Sequence, residues 1–184
     1  MATPLIGPPG AAMNVCLFLI ARGVVPRPAA RAEIAALEAA CDGALRALVP
    51  LLAGAEVTQQ AMLARPFPVP APQPLPDEHC TYLVAYDGPA EDVTSWLGHY
   101  IAHHPPIMAR FPAIRAIEIY TRLDVAAALP FPRADCMQRN KVVFDSPAAL
   151  TAALNSPVRI EMRADYAQLP KFSGAVTHFP MLRA

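Results

Sequence analysis

Apolar residues fall into short unbroken or alternating runs, separated by stretches with helical spacing. Asn14–Ala21 (NVCLFLIA) is short and apolar and is bounded by Gly23 and Pro26, which predicts a buried strand. Over 31–52, Ile34, Leu37, Cys41, Leu45, Leu48 and Leu52 recur at helical spacing, with Glu33, Glu38, Asp42 and Arg46 between them. That pattern predicts an amphipathic helix of about five turns, stopped at Gly54. Ala55–Ala64 (AEVTQQAMLA) predicts a second strand. The segment 13–64 is therefore expected to run strand–helix–strand, as a βαβ half-unit behind a disordered lead at 1–12.

From 65 to 78 the pattern changes. Prolines stand at 66, 68, 70, 72, 74 and 76, so this stretch has few backbone donors and favours an extended conformation. It predicts a stiff linker, with a ligand for a proline-binding groove as the other use. Beyond it, Cys80–Tyr86 (CTYLVAY) predicts a strand ended by Asp87-Gly88. Pro89–His103 predicts a helix, with Pro89 near its first turn and Glu91 and Asp92 at the positive end of its dipole. Ile114–Arg122 (IRAIEIYTR) alternates as a strand, and Cys136–Asp145 predicts another. Ser146 is a natural N-cap with Pro147 at the first helical position, and this second helix resumes from Val158 to about Tyr166. Ser173–Pro180 (SGAVTHFP) is the expected last strand.

The order over 79–184 is thus β-α-β-β-α-β, the split βαβ arrangement of a ferredoxin-like α+β sandwich. Two helices cover one sheet face and leave the other open. An apolar open face needs a partner sheet, so a homodimer or a fused second copy is expected. Composition agrees: 54% of residues are hydrophobic and only 16% charged, and monomers rarely leave large apolar patches in water.

Fifteen basic residues balance fifteen acidic ones, which leaves no basic field for nucleic acid. Cysteines at 16, 41, 80 and 136 form no close pair, so buried free thiols in a reducing compartment are expected, rather than zinc ligands or a disulfide framework. The start of the chain lacks a basic n-region, and Val15–Ile20 is too short to span a bilayer. The expected location is cytoplasmic, with no membrane partner. No glycine-rich phosphate loop or Gly-x-Ser-x-Gly elbow appears, and nothing marks flavin or haem attachment, so no cofactor is expected.

Residues 94–112 read TSWLGHYIAHHPPIMARFP. Their aromatic, tyrosine and His-x-Pro-apolar run, followed by Phe111-Pro112-Ala113-Ile114 before a strand, resembles the EthD family of the dimeric α+β barrel superfamily. Downstream, VVFDSPAALTAALNSP (142–157) resembles the strand–Phe-Asp-Ser–helix segment of that family. The likeness covers about 100 residues, from 79 to 182, and its motifs are specific only in combination. Pro105 and Ala113 stand where the pattern has glycines. The 13–64 segment looks like half of another such unit. It would pack on the second unit as a degenerate repeat, or add strands to a dimer's barrel. The resemblance implies a dimeric or pseudo-dimeric α+β barrel. It also implies relatives that include cyclases, decarboxylases and monooxygenases, and it falls on His104 as the family's histidine.

Three of the five histidines sit at 99, 103 and 104. His99 and His103 have the His-x3-His spacing that suits two imidazoles on one metal, but no acidic residue is near in sequence to complete the set. As ordinary helix residues they would complement the helix dipole, and no metal site is expected. His104 precedes a proline, which disfavours α backbone, so it is expected at the helix exit, turned over the open sheet face. With an ordinary pKa of about 6.5 it would serve as general acid or base, or else it would simply lock the turn. Trp96 and Tyr100 share its helical spacing. On the next strand Glu118 and Tyr120 lie on the face opposite Ile117 and Ile119, where they would bind a polar ligand or orient His104. Arg139 and His178 are further substrate-binding candidates. Two functions stay open. One is a cofactor-independent enzyme acting on a small hydrophobic or aromatic, polyketide-like molecule. The other is a non-catalytic protein that holds such a molecule in the same cavity.

Overall fold

A computed structural model describes residues 14–22, 54–124 and 131–183. The expected lead at 1–12 and the helix expected within 31–52 lie outside the described residues. The first strand, β1, spans Asn14–Arg22, and β2 spans Glu56–Phe67, three residues further than its pattern predicts.

The chain divides into two compact units. The smaller takes in Leu17–Met62 and Leu123–Asp135. There the Gln59 amide donates to Pro132 O at 2.9 Å, the Ala134 amide donates to Gln59 O at 2.8 Å, and Arg133 pairs with Asp124 at 2.5 Å. The larger unit takes in Leu63–Arg122 and Cys136–Ala184 and carries a βαββαβ run. Its elements are β3 (His79–Tyr86), α1 (Val93–Met108), β4 (Ile114–Arg122), β5 (Gln138–Phe144), the consecutive helices α2 (Pro147–Leu154) and α3 (Val158–Tyr166), and β6 (Val176–Arg183). The four strands stand in the order β4-β5-β3-β6, every neighbouring pair antiparallel, which is the ferredoxin-like arrangement.

Side-chain alternation divides the sheet into two faces. Cys80, Val84 and Tyr86 of β3, Ile117 and Ile119 of β4, and Val142 and Phe144 of β5 share one core. Trp96, Leu97, Tyr100 and Met108 of α1, Leu150 and Ala153 of α2, and Met162 of α3 pack into it. Cys80 and Cys136 are free and buried, as their apolar surroundings predict.

The structure corrects both ends of α1. Pro89–Glu91 do not open the helix, because they pair with the segment before β6. The Glu91 amide donates to Lys171 O and the Ser173 amide donates to Pro89 O, both at 3.0 Å. The helix starts instead at Val93, capped by Asp92, whose Oδ1 accepts from the Ser95 amide at 3.0 Å. The same pairing holds residue 173 out of the last strand, which begins at Val176 and runs past Pro180. A proline is tolerated there because β6 is an edge strand.

At its other end α1 runs through Pro105 and Pro106 to Met108, so His104 is inside the helix and not at its exit. The bias a proline imposes on the residue before it is outweighed here by packing: His104, Pro105 and Met108 are all buried. The two missing amides leave the carbonyls of Ile101 and Ala102 without helical partners. Those residues are half-buried and exposed, so water can satisfy them. The Ala109 amide donates to Pro105 O at 2.9 Å and restores the ladder. Ala113, in the turn that follows, adopts φ 58°, the left-handed conformation that a glycine would take without strain.

Pro106 is exposed, so its ring contributes little packing to set against the lost amide. Pro106→Ala restores a donor in the helix interior and is expected to stabilise the protein by about 1–3 kcal/mol in urea unfolding. An unchanged or lower midpoint would mean that the proline itself shapes the helix.

Candidate functional site

Helix α3 packs beside α1 and brings Asp165 against the histidine cluster. His104 Nδ1 lies 2.6 Å from Asp165 Oδ2, and His99 Nε2 lies 3.0 Å from Asp165 Oδ1. One buried carboxylate thus spans two imidazoles five residues apart on α1. The side chains of His104 and Asp165 are 5% and 8% exposed, against 23% for His99. The His103 ring lies tilted against that of His99, centroids 4.6 Å apart, and makes no bond to Asp165. Among the described residues no three His, Cys, Asp or Glu side chains gather into a metal-binding set.

His104 also forms part of the wall of a cavity of about 50 Å³ between the helices and the core face of the sheet. Tyr82, Tyr86, Asn140 and Val142 line it from the strands, Met108 and Met162 from the helices, and Arg159 and His178 complete it. The Tyr82 hydroxyl lies 2.8 Å from His178 Nδ1, and the two rings stack. Asn140 is buried, and its Oδ1 has no donor among the described residues.

Burial holds the His104 imidazole below its ordinary pKa; the hydrogen bond and charge of Asp165 oppose that shift, and the charge of Arg159 adds to it. At neutral pH the ring is therefore uncharged. Its Nδ1 carries the proton donated to Asp165, and Nε2 keeps a lone pair with no partner among the described residues. Burial likewise lowers His178, with Arg159 adding to the effect. Tyr86 is pushed up to about 12, chiefly by burial, so its hydroxyl stays protonated.

The candidate residues divide between two faces. Trp96 and Tyr100 belong with His104 but lie within the core, both fully buried. Their rings stack at 5.1 Å, and Tyr100 sits 4.5 Å from the His104 ring. His178 is in the cavity wall. Glu118 and Tyr120 alternate with Ile117 and Ile119, which face the helices, so they lie on the far side of the sheet from His104. Arg139, paired in register with Tyr120 and alternating with Asn140, lies there too. Tyr120 donates to Glu118, and Lys141 Nζ reaches the same carboxylate at 2.6 Å. Burial pulls the Glu118 pKa up, but Lys141 and Tyr120 outweigh it and hold it below the usual range. Asp165, Arg159, Tyr82 and Asn140 are the site residues that sequence reasoning missed. Nothing local marks Asp165, which is 61 residues from His104 and meets it only when α3 packs on α1.

Solved structures extend the comparison. The chain is similar to an EthD family protein. That protein, from Bacillus halodurans, shares 17% identity at a TM-score of 0.41, over 54% of this chain and 96% of its own. Two proteins each named a "putative monooxygenase" are also similar. The one from Lactobacillus acidophilus has 13% identity and a TM-score of 0.45, over 78% of this chain and 62% of its own. The one from Fusobacterium nucleatum has 8% identity and a TM-score of 0.48, over 99% and 80%. No family model and no curated protein matches the chain. The fold assignment rests on the strand order, and these likenesses add no assignment of function.

A histidine whose pKa is depressed in the folded state binds fewer protons there than when unfolded. The stability this contributes is complete above about pH 6.5 and is lost as pH falls toward the folded value. Acidification from pH 7 to about pH 5 is therefore expected to lower Tm. His104→Gln should flatten that dependence and His178→Gln should flatten it less, since His178 is more exposed. An unaltered slope in His104→Gln, followed by differential scanning fluorimetry, would remove the basis for a neutral imidazole.

Proposed function

We propose that this chain is a cofactor-independent enzyme of EthD-like type, with His104 as its general base. It would act on a small hydrophobic or aromatic molecule bearing an acidic C–H or O–H. The observation that carries this reading is the 2.6 Å pair between His104 Nδ1 and Asp165, on a neutral ring at the wall of a cavity. Asp165 fixes the tautomer and leaves Nε2 to take the proton. The imidazolium that forms is stabilised by the carboxylate beside it, and it then returns the proton to another atom of the same molecule. No redox partner is needed for such a transfer. Tyr86, Val142 and Met162 supply the apolar walls. The cavity as it stands holds only a few waters. A larger substrate would enter by displacing His178, which is exposed on the edge strand β6.

The test is solvent deuterium exchange into 1,3-dicarbonyl and phenolic probes, followed by NMR. Wild type is expected to accelerate exchange of at least one probe. His104→Gln should lose about 10²–10⁴-fold, the usual worth of a positioned acid or base, while still binding the probe. Asp165→Asn should lose activity as well, because an amide does not hold the tautomer in the same way, and His99→Gln should retain most of it. Binding without exchange in wild type would favour a carrier or accessory protein that holds the molecule for another enzyme.

We also infer a homodimer. Phe179 and Met181 on the edge strand β6 are each 42% exposed and pair in register with Leu83 and Thr81, on the sheet face away from the helices. A second copy would cover them, as the sequence pattern anticipates for the open sheet face. Light scattering should give twice the 19.7 kDa chain mass, and Met181→Lys should shift it toward monomer. A monomeric wild type would sink this reading. Balanced charge argues against nucleic acid, and no helix among the described residues is long and apolar enough to cross a membrane. A cytoplasmic location belongs to the same proposal.

A further inference from the structure

Arg159 is the second residue of α3 and contributes to the wall of the cavity that holds His104, Tyr82, Asn140 and His178. It is half-buried, and among the described residues no carboxylate lies within ion-pair distance of it. Arg110 pairs with Glu161, Arg115 with Asp145 and Lys141 with Glu118, and Arg163, Lys171 and Arg183 are exposed to water, whereas Arg159 is half-buried. Both acids of the same helix are already committed, Glu161 to Arg110 and Asp165 to His99 and His104. The charge of Arg159 reaches four groups of this site: it adds to the downward shift that burial causes at His104 and His178, and it opposes the larger upward shift that burial causes at Tyr82 and Tyr86. A guanidinium part-withdrawn from water costs free energy unless an anion meets it, and its planar fork matches a carboxylate with two parallel hydrogen bonds. Asn140 adds an independent sign of a polar ligand, a buried Oδ1 that has no donor.

We infer that Arg159 makes this cavity a binding site for a small aromatic or aliphatic carboxylate. The carboxylate lies on the guanidinium, a hydroxyl of the ligand donates to Asn140, and the apolar part lies against Tyr86, Val142 and Met162. The inference deepens the reading above and rests on it for the cavity being the binding site. It also names the substrate class: an organic acid, with the proton that His104 moves on a neighbouring atom.

The probes are salicylate and its uncharged analogue salicylamide, titrated by calorimetry at low salt into wild type, Arg159→Gln and Arg159→Lys. Wild type is expected to prefer salicylate by at least about tenfold. Arg159→Gln should abolish the preference, and Arg159→Lys should keep part of it as a point charge. Glutamine is a good helix former, and a thermal melt of Arg159→Gln checks that the fold is retained. Equal affinity for the two probes, no binding of salicylate, or a preference that survives Arg159→Gln would each overturn the inference. Salicylate preference with no deuterium exchange on any probe would sink the catalytic reading alone. Exchange that depends on His104 with no role for Arg159 would sink this one alone.

Discussion

The buried carboxylate of Asp165 is the constraint on which the helical layer depends. A carboxylate with its side chain 8% exposed is costly to remove from water unless donors meet both oxygens. His99 and His104 do so, one on each oxygen, from successive turns of α1. The contact fixes how far α3 slides along α1 and which way the His104 ring turns. Met162, one turn before Asp165 on α3, packs into the shared core as a result, and Arg159 on the same helix reaches the cavity wall. Loss of one imidazole leaves a buried oxygen without its donor. Loss of the carboxylate leaves two imidazoles free to choose other tautomers.

That arrangement needs α1 to continue past a point where local rules would stop it. Each proline removes an amide and disfavours helical backbone in the residue before it. Both residues affected, His104 and Pro105, are buried, and the carbonyls left over belong to Ile101 and Ala102, which are half-buried and exposed. The tertiary contacts of His104, Pro105 and Met108 therefore decide the helix end. Had the chain left the helix at His104, the imidazole would not stand beside His99 on one helix, and a single Asp165 would not reach both.

Much of the fold was legible in the sequence because it is written in local patterns. The alternation of Ile114–Arg122 marks its strand to the residue, and Ser146-Pro147 marks the start of α2 with the Ser146 side chain accepting from the Ala149 amide. The misplaced starts of α1 and β6 share one cause: residues 89–91 and 171–173 pair with each other across a long sequence separation, which delays both elements. The site was half legible. His104 was singled out by its place before a proline and by a resemblance, although the backbone geometry inferred from that proline was not what the helix adopts. Asp165 and Arg159 gave no signal, since a charged residue on a short helix looks like solvent-facing surface until the helix is packed. Glu118 and Tyr120 were read on their correct face. Alternation alone does not say which face holds the cavity, and the helices place it on the other one.

The charges around His104 are arranged so that occupancy would change its basicity. In the empty site burial and Arg159 both hold the imidazole neutral, against the pull of Asp165. An anion seated on Arg159 would cancel the nearest positive charge and add a negative one close to the ring. Both changes favour the protonated imidazole, so the base would strengthen as its substrate binds. The proton taken up would then lie between two negative groups, which stabilises the charged intermediate of the transfer more than the neutral ground state. A neutral ligand of the same shape would leave Arg159 unpaired and the imidazole weakly basic. Discrimination between an acid and its amide would then appear in the proton-transfer step as well as in binding, through the one imidazole that feels both Arg159 and Asp165.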